Sequence, residues 1–106
     1  MKALVHTAPN RFEIQDVPKP VPGPKEVLLR VKACGICGSD VHGMTGQTGR
    51  RQPPIIMGHE ATGQIVEVGK EITKFTVGDR ITFDSTVYCN RCHYCLQGRI
   101  NLCSNR

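Results

Sequence analysis

Six cysteines dominate the chemistry available to this 106-residue sequence. Four of them follow the spacing C-x2-C-x2-C-x7-C near its end: Cys89, Cys92, Cys95 and Cys103. The short gaps let successive thiolates converge on one ion, and the long gap lets the chain return to close the shell. Four thiolates in tetrahedral array suit Zn²⁺ and leave no position for water. We therefore predict a structural zinc site that organises a lobe over about residues 86–106 with little apolar surface of its own.

Two other interpretations of this cluster are weaker. The less specific interpretation is that these cysteines are free or disulfide-bonded, but four cysteines within fifteen residues favour a common function. An iron–sulfur cluster is the sharper one. The bacterial ferredoxin run has a three-residue last gap followed by proline, whereas here the gap has seven residues and Ser104 follows Cys103. Zinc is favoured, and His93, between the ligands, is expected to be solvated.

A second group of candidate ligands lies upstream. Cys34 and Cys37 belong to the run C-G-I-C-G-S-D-V-H, and His59 and Glu60 belong to G-H-E. The Cys34–Cys37 pair alone would fit a thioredoxin-like redox motif, but that motif opens a helix in an α/β fold, and we predict neither feature here. One thiolate, one imidazole and one carboxylate form a mixed set instead. Catalytic zinc has about three protein ligands and one open position, so the sequence suggests one catalytic and one structural metal.

These motifs resemble those of the medium-chain, zinc-dependent alcohol dehydrogenases. Six residues match the family's zinc signature, G-H-E-x2-G-x5-G-x2-I, position by position: Gly58, His59, Glu60, Gly63, Gly69 and Ile72. The G-I-C-G-S-D-x-H run and the four-cysteine lobe match in the same order, and the resemblance covers essentially the whole chain. It implies a mainly β fold, a GroES-like, partly open and incomplete barrel with a protruding zinc lobe. Residues 1–106 would be the N-terminal part of the catalytic domain, without the nucleotide-binding domain.

The resemblance also implies a ligand set. Cys37 and His59 would bind the catalytic zinc, with Glu60 either a ligand or an exchangeable carboxylate beside them. A further ligand, Cys or Glu, comes in the family from a later segment that these residues lack. Cys34 has no ligand role in this pattern and is expected to pack as a small buried residue.

Three residues near Cys37 match the family's proton-handling groups. Asp40 would hydrogen-bond the zinc histidine and fix its tautomer. Ser39 would accept the proton of the alcohol, and His42 would relay it towards solvent. Without the resemblance, Ser39 would be taken as a turn residue and His42 as an exposed loop residue.

The implied reaction is the oxidation of an alcohol. Zinc would lower the pKa of the alcohol oxygen as a Lewis acid, and hydride would pass to the nicotinamide of NAD or NADP. No G-x-G-x-x-G motif or P-loop occurs, so no cofactor-binding residue is assigned, and these residues alone are expected to be inactive. The run from Gly38 to His42 and the loop 46–54 resemble the sorbitol, polyol and threonine dehydrogenase branch most. The alternative function is a non-enzymatic zinc-binding module.

Short strands separated by turns must position these groups. Phe12 and Ile14 alternate with polar neighbours, and a strand from Val27 is predicted to carry positions 27, 29, 31 and 33 on one face. Further strands are predicted over about 61–68 and around Ile81 and Phe83. Prolines make 17–25 an extended connection, 43–54 is predicted as a surface loop, and 89–103 as a compact loop with one helical turn.

Composition narrows the range of partners. The net charge of +5 is mild, and the basic residues, including the pair Arg50–Arg51, are expected on a solvated surface. No run resembles a nucleic-acid arm, a membrane span or a secretion signal, so we expect a cytoplasmic protein acting on a small alcohol or polyol. A full-length enzyme is expected to be a homo-oligomer. Because later strands complete the family barrel, exposed sheet edges and apolar surface are expected here.

Overall fold

The computed structural model describes residues 1–47, 49 and 51–105. Its regular elements in that part of the chain are short. In chain order they are β1 (Lys2–Ala8), β2 (Arg11–Asp16), β3 (Val27–Gly35), α1 (Gly38–Gly43), β4 (Ile55–Ile56), β5 (Glu60–Val68), β6 (Arg80–Thr82), α2 (His93–Leu96) and a 3-10 turn over Ile100–Leu102. The helices in the described residues are all too short and too polar to span a bilayer.

The strands form two antiparallel sheets of three strands each. One has the order β2-β1-β4 and the other the order β3-β5-β6. Neither order closes on itself, so each sheet ends in edge strands. The mainly β, partly open architecture predicted for a GroES-like domain is confirmed.

Most predicted strands are confirmed, with differences at their ends. The strands around Phe12 and over 61–68 form β2 and β5, but β6 ends at Thr82 and leaves Phe83 outside. Strands β1 and β4 were not predicted. In β1 the adjacent residues Val5 and His6 are both buried, so burial there lacks the alternation on which the prediction depended.

The predicted single apolar face of β3 is wrong. The pairing with β5 shifts register between Val31 and Ala33, so Lys32 is an extra residue on β3. An extra residue reverses the inward and outward alternation beyond it. Val31 is 57% exposed, and large apolar side chains elsewhere are also exposed, as expected for a sheet with open edges.

A buried histidine links the first sheet to α1. His6 is fully buried, stacks on Phe12 with the ring centroids 4.8 Å apart, and places Nε2 3.0 Å from the carbonyl oxygen of Met44. Met44 is the C-cap of α1. The helix that carries Ser39 and Asp40 is therefore fixed to β1 at its far end.

Two glycines of the zinc signature lie where the backbone approaches itself closely. A Cβ at Gly63 would lie 2.4 Å from the carbonyl oxygen of Arg30 on β3. A Cβ at Gly69 would lie 2.2 Å from the carbonyl oxygen of Gly23 and 2.4 Å from that of Pro24. These positions require glycine because the colliding atoms belong to the backbone and cannot rotate away.

We predict that Gly69→Ala destabilises the protein by about 1–3 kcal/mol, the usual cost of overpacking. Urea denaturation followed by circular dichroism measures the change. Gly38→Ala is the matched control, because a Cβ there meets nothing within 4 Å. Equal midpoints for Gly69→Ala and Gly38→Ala would contradict the close approach.

Candidate metal centres

Helix α1 starts directly after Cys37. The backbone N–H of Cys37 donates to Asp40 Oδ2 at 3.0 Å, which satisfies an amide at the start of the helix. The prediction that no helix follows the Cys34–Cys37 pair is therefore wrong. The capping turn fixes the backbone of Cys37 and places Ser39 in the first turn of the helix.

Strand pairing brings Cys37 and His59 together across 22 positions of sequence. Gly35 at the end of β3 pairs with Glu60 at the start of β5. Cys37 lies two residues beyond that pair and His59 one residue before it, so both lie at the same end of the sheet. One donor atom each from Cys37, His59 and Glu60 lies within 4.8 Å of the other two. The structure thus brings together the three residues of the predicted mixed set, and their role as metal ligands stays a prediction.

Asp40 and Ser39 surround the imidazole of His59. Asp40 Oδ1 lies 3.2 Å from Nδ1, but this contact lacks the orientation of a hydrogen bond and Oδ1 is buried. Ser39 Oγ lies 3.4 Å from Nε2 and 3.4 Å from the Sγ of Cys37. Nε2 therefore lies beside Ser39 Oγ, which also contacts the Cys37 sulfur, and Nδ1 lies beside the Asp40 carboxylate.

Sequence reasoning missed Arg51. Its Nη2 lies 3.1 Å from Ser39 Oγ, 3.1 Å from Asp40 Oδ1 and 3.2 Å from His59 Nδ1. Its side chain is only 20% exposed, so the solvated position expected for the arginine pair is wrong at Arg51, and Arg50 lies outside the described residues. No sequence signal marks Arg51, because its contacts depend on the path of the loop that follows α1.

The remaining upstream candidates lie at the margin of the cluster. Cys34 is exposed, so its expected burial is wrong: β3 ends there at an open edge that no described strand covers. His42 is exposed on α1, three residues after Ser39, and positions three apart are neighbours on a helix surface. Among described residues the structure gives His42 no hydrogen bond, and its relay role stays a prediction.

The four distal cysteines converge in the lobe. Their sulfur atoms lie within 4.8 Å of one another, and none forms a disulfide. Asn90 has a φ of 58°, which turns the chain tightly between the first two cysteines. The Cys103 thiol is buried and its Sγ accepts the backbone N–H of Cys89 at 3.4 Å. His93 is exposed, as predicted.

Comparison with known proteins places the chain in a family. The profile of the alcohol dehydrogenase GroES-like domain matches residues 23–106. The chain belongs to this family. It is 45% identical to a sorbitol dehydrogenase of Halalkalibacterium halodurans over all of this chain and 32% of that protein. It is 43% identical to an L-threonine 3-dehydrogenase of Symbiobacterium thermophilum over 87% of this chain and 27% of that protein.

The fold agrees with this family. A crystal structure from Sinorhizobium meliloti 1021, assigned provisionally to the zinc-binding dehydrogenases and bound to NADP, superposes with a TM-score of 0.91. The two are 40% identical, and the match covers 98% of this chain and 30% of the other. This GroES-like domain thus spans about a third of the length of the relatives it matches.

Three thiols in the lobe of this GroES-like domain have shifted pKa values, and the shifts differ in direction. The backbone N–H of Arg91, and then the Asn105 side chain, lower the pKa of Cys89 to about 5. The backbone N–H of Ser104 is the main cause of a lowered pKa at Cys92. Burial, followed by the neighbouring thiols, raises the pKa of Cys95 to about 12. Thiolates are thus favoured at some positions before a metal ion adds its own charge.

We predict that, after chelation of metal, Cys89 is alkylated much faster than Cys95 at neutral pH. The thiolate is the nucleophile, and of these two thiols only Cys89, with its pKa near 5, is largely ionised there. Lower intrinsic nucleophilicity offsets part of the difference in thiolate fraction and leaves about a hundredfold difference in rate. Mass spectrometry of iodoacetamide-treated protein measures the rates. The zinc-loaded protein is the control, and similar rates at both cysteines would contradict the pKa order.

Two clefts adjoin the upstream cluster of the GroES-like domain. One, of about 440 Å³, lies beside His59 and Glu60 and also carries Thr62, Thr82, Asp84 and Ser85. The other, of about 320 Å³, is mostly apolar, and its lining includes Phe12, Val41 and Met57. The first cleft brings hydroxyl and carboxylate groups next to two of the candidate ligands.

Proposed function

We propose that this domain is the zinc-holding part of a zinc-dependent alcohol or polyol dehydrogenase that uses NAD or NADP. The observation that carries the proposal is the convergence of Cys37, His59 and Glu60 within 4.8 Å, with Asp40 behind the imidazole. A structural lobe alone would need none of these residues. The dinucleotide site and a further zinc ligand would lie in other parts of a longer protein.

The donor sets fit zinc at both sites. The four cysteine sulfurs of the lobe would form a closed shell of thiolates around an ion, which suits a structural metal. A thiolate, an imidazole and a carboxylate form an open set upstream, which suits a catalytic ion. Zinc bound upstream would polarise an alcohol oxygen and make its proton more acidic. Cys37 and His59 are the proposed holders, and Glu60 an additional or exchangeable one.

The proposed proton route runs along α1. Ser39 Oγ lies 3.4 Å from both the Sγ of Cys37 and Nε2 of His59, so it is within reach of a substrate oxygen held between them. Ser39 would accept the alcohol proton while His42, one helical turn further and exposed, returns it to solvent. Asp40 would orient His59 by accepting the hydrogen of Nδ1.

The cleft beside His59 and Glu60 supports a hydroxyl-rich substrate. The hydroxyls of Thr62 and Thr82 donate to backbone carbonyl oxygens and can accept from a substrate. Ser85 offers another hydroxyl, and Asp84 offers a carboxylate whose pKa is lowered by its hydrogen bonds with Thr86. Such groups bind the several hydroxyls of a polyol better than they bind an alkyl chain. A polyol is therefore the proposed substrate class.

The full-length protein tests the proposal. We expect two zinc ions per chain, one of them released first by chelators, and oxidation of polyols that stops when this ion is removed. Residues 1–106 expressed alone are expected to give no turnover with any alcohol and either dinucleotide. One zinc per full-length chain, with no dinucleotide reduction by any alcohol, would favour the non-enzymatic zinc module instead.

A further inference from the structure

The Arg51 side chain packs in a defined position beside the ligand cluster, although arginine is not a metal ligand. Its stem lies over Gly43, the last residue of α1, where a Cβ would lie 2.4 Å from Cδ of Arg51. Gly43 is buried, and the missing side chain makes room for the arginine. The guanidinium thereby reaches Ser39, Asp40 and His59 with most of its side chain shielded from water.

Arg51 and Asp40 compete for the same ring nitrogen. Nη2 of Arg51, Oδ1 of Asp40 and Nδ1 of His59 are mutually 3.1–3.2 Å apart. Nδ1 either accepts a hydrogen bond from Arg51 or donates one to Asp40, and it cannot do both. Only the contact with Arg51 has hydrogen-bond geometry, and Asp40 Oδ1 has no hydrogen-bond partner. This arrangement belongs to the tautomer of His59 that carries its hydrogen on Nε2.

A metal at Nε2 requires the other tautomer. The metal takes the Nε2 lone pair, so a neutral imidazole then carries its hydrogen on Nδ1 and donates it to a neighbouring carboxylate. Arginine has no lone pair to accept that hydrogen. The hydrogen bond from Arg51 to His59 and coordination through Nε2 are therefore mutually exclusive.

We infer that Arg51 is a positioning residue that sets the tautomer of His59 and thereby makes metal at this site more readily exchanged. The inference rests on the proposed function, in which His59 is a metal ligand. When metal binds, Nη2 yields Nδ1 to Asp40 but keeps its hydrogen bond to Ser39 Oγ and its ion pair with Asp40 Oδ1, both at 3.1 Å. The hydrogen bond that must be broken lowers the affinity of the site.

Nitrogen NMR of the full chain, labelled with ¹⁵N-histidine and stripped of metal, tests the tautomer. We expect hydrogen on Nε2 of His59 in the wild type and on Nδ1 in Arg51→Met, which keeps an apolar stem over Gly43 but removes the donors. Loss of the signal in His59→Gln assigns it. Hydrogen on Nδ1 in the wild type overturns the inference, and this measurement does not depend on whether the variant folds.

Cobalt binding separates positioning from mere support of the fold. Arg51→Met should tighten Co²⁺ binding at the upstream site about tenfold, the equivalent of one hydrogen bond of about 1.4 kcal/mol. Asp40→Asn should weaken it by about 10–100-fold, because a neutral amide oxygen is a weaker acceptor of Nδ1–H than a carboxylate oxygen. The matched control Arg11→Met removes a 71% exposed arginine and should change nothing.

Failure of the inference and failure of the proposed function would give different results. Unchanged or weaker cobalt binding in Arg51→Met would give Arg51 a structural role only and overturn the inference. If His59→Gln binds cobalt as tightly as the wild type, the proposed function fails, because His59 is then no ligand.

Discussion

Cys37→Ser is expected to lower the zinc content of the full-length protein from two ions to one and to abolish most of its turnover. The thiolate is one of three donor groups that converge within 4.8 Å, and a serine hydroxyl stays protonated and binds zinc poorly. Loss of the ion removes several kcal/mol of charge stabilisation in the transition state, so the turnover should fall on the order of 10³-fold. Elemental analysis and steady-state kinetics measure the two effects.

Cys34→Ser is the matched control for that experiment. Cys34 lies in the same short segment, but its side chain is exposed and does not belong to the group of three donors. It should retain both zinc ions and full turnover. A comparable loss in Cys34→Ser and Cys37→Ser would show that the segment acts through its folding, and the assignment of Cys37 as a ligand would fail.

Cys92→Ser is expected to unfold the lobe over 86–105 while leaving the upstream site able to bind metal. Cys103 is the only buried apolar residue described in that part of the chain, so the lobe lacks a core of its own. A structural zinc contributes about 10–16 kcal/mol of binding free energy that is also folding free energy. Losing one of four thiolates should remove enough of it to release the ion under mild chelation.

Limited proteolysis and metal analysis check this result. Cleavage should become fast within the lobe and remain slow in β1 to β5. His93→Gln is the matched control, since His93 lies between the same cysteines, is exposed, and belongs to no group of donors in the described chain. A lobe that resists proteolysis in Cys92→Ser, with its zinc retained, would show that packing and hydrogen bonds hold it together without the metal.

The sequence predicted the lobe well because its information is local. The cysteines at 89, 92, 95 and 103 are separated by gaps short enough that almost any compact path brings them together. The strand β5 was predictable for a related reason, since its buried residues alternate with less buried neighbours. The strand β2 was predicted from the same kind of alternation, although its Ile14 is 67% exposed. The strand β1 was not, because Val5 and His6 are adjacent and both buried.

The upstream cluster was predictable only in part. Its membership came from a family resemblance, since the spacing between Cys37 and His59 has no local meaning. Their meeting depends on the register of β3 against β5, which pairs Gly35 with Glu60 and includes an extra residue at Lys32. A shift of one residue would have turned the donor groups away from one another.

Residue types and short spacings alone predicted a four-cysteine lobe, and the family resemblance added the mixed set of candidate ligands. Tertiary structure alone decided that Arg51 joins that set, that Cys34 stays outside it in solvent, and that a helix begins at Gly38. The physical reason is the range of the interactions. Thiolates a few residues apart converge through local turns, whereas a long cationic side chain finds its partners only after strand pairing and loop path have fixed their positions.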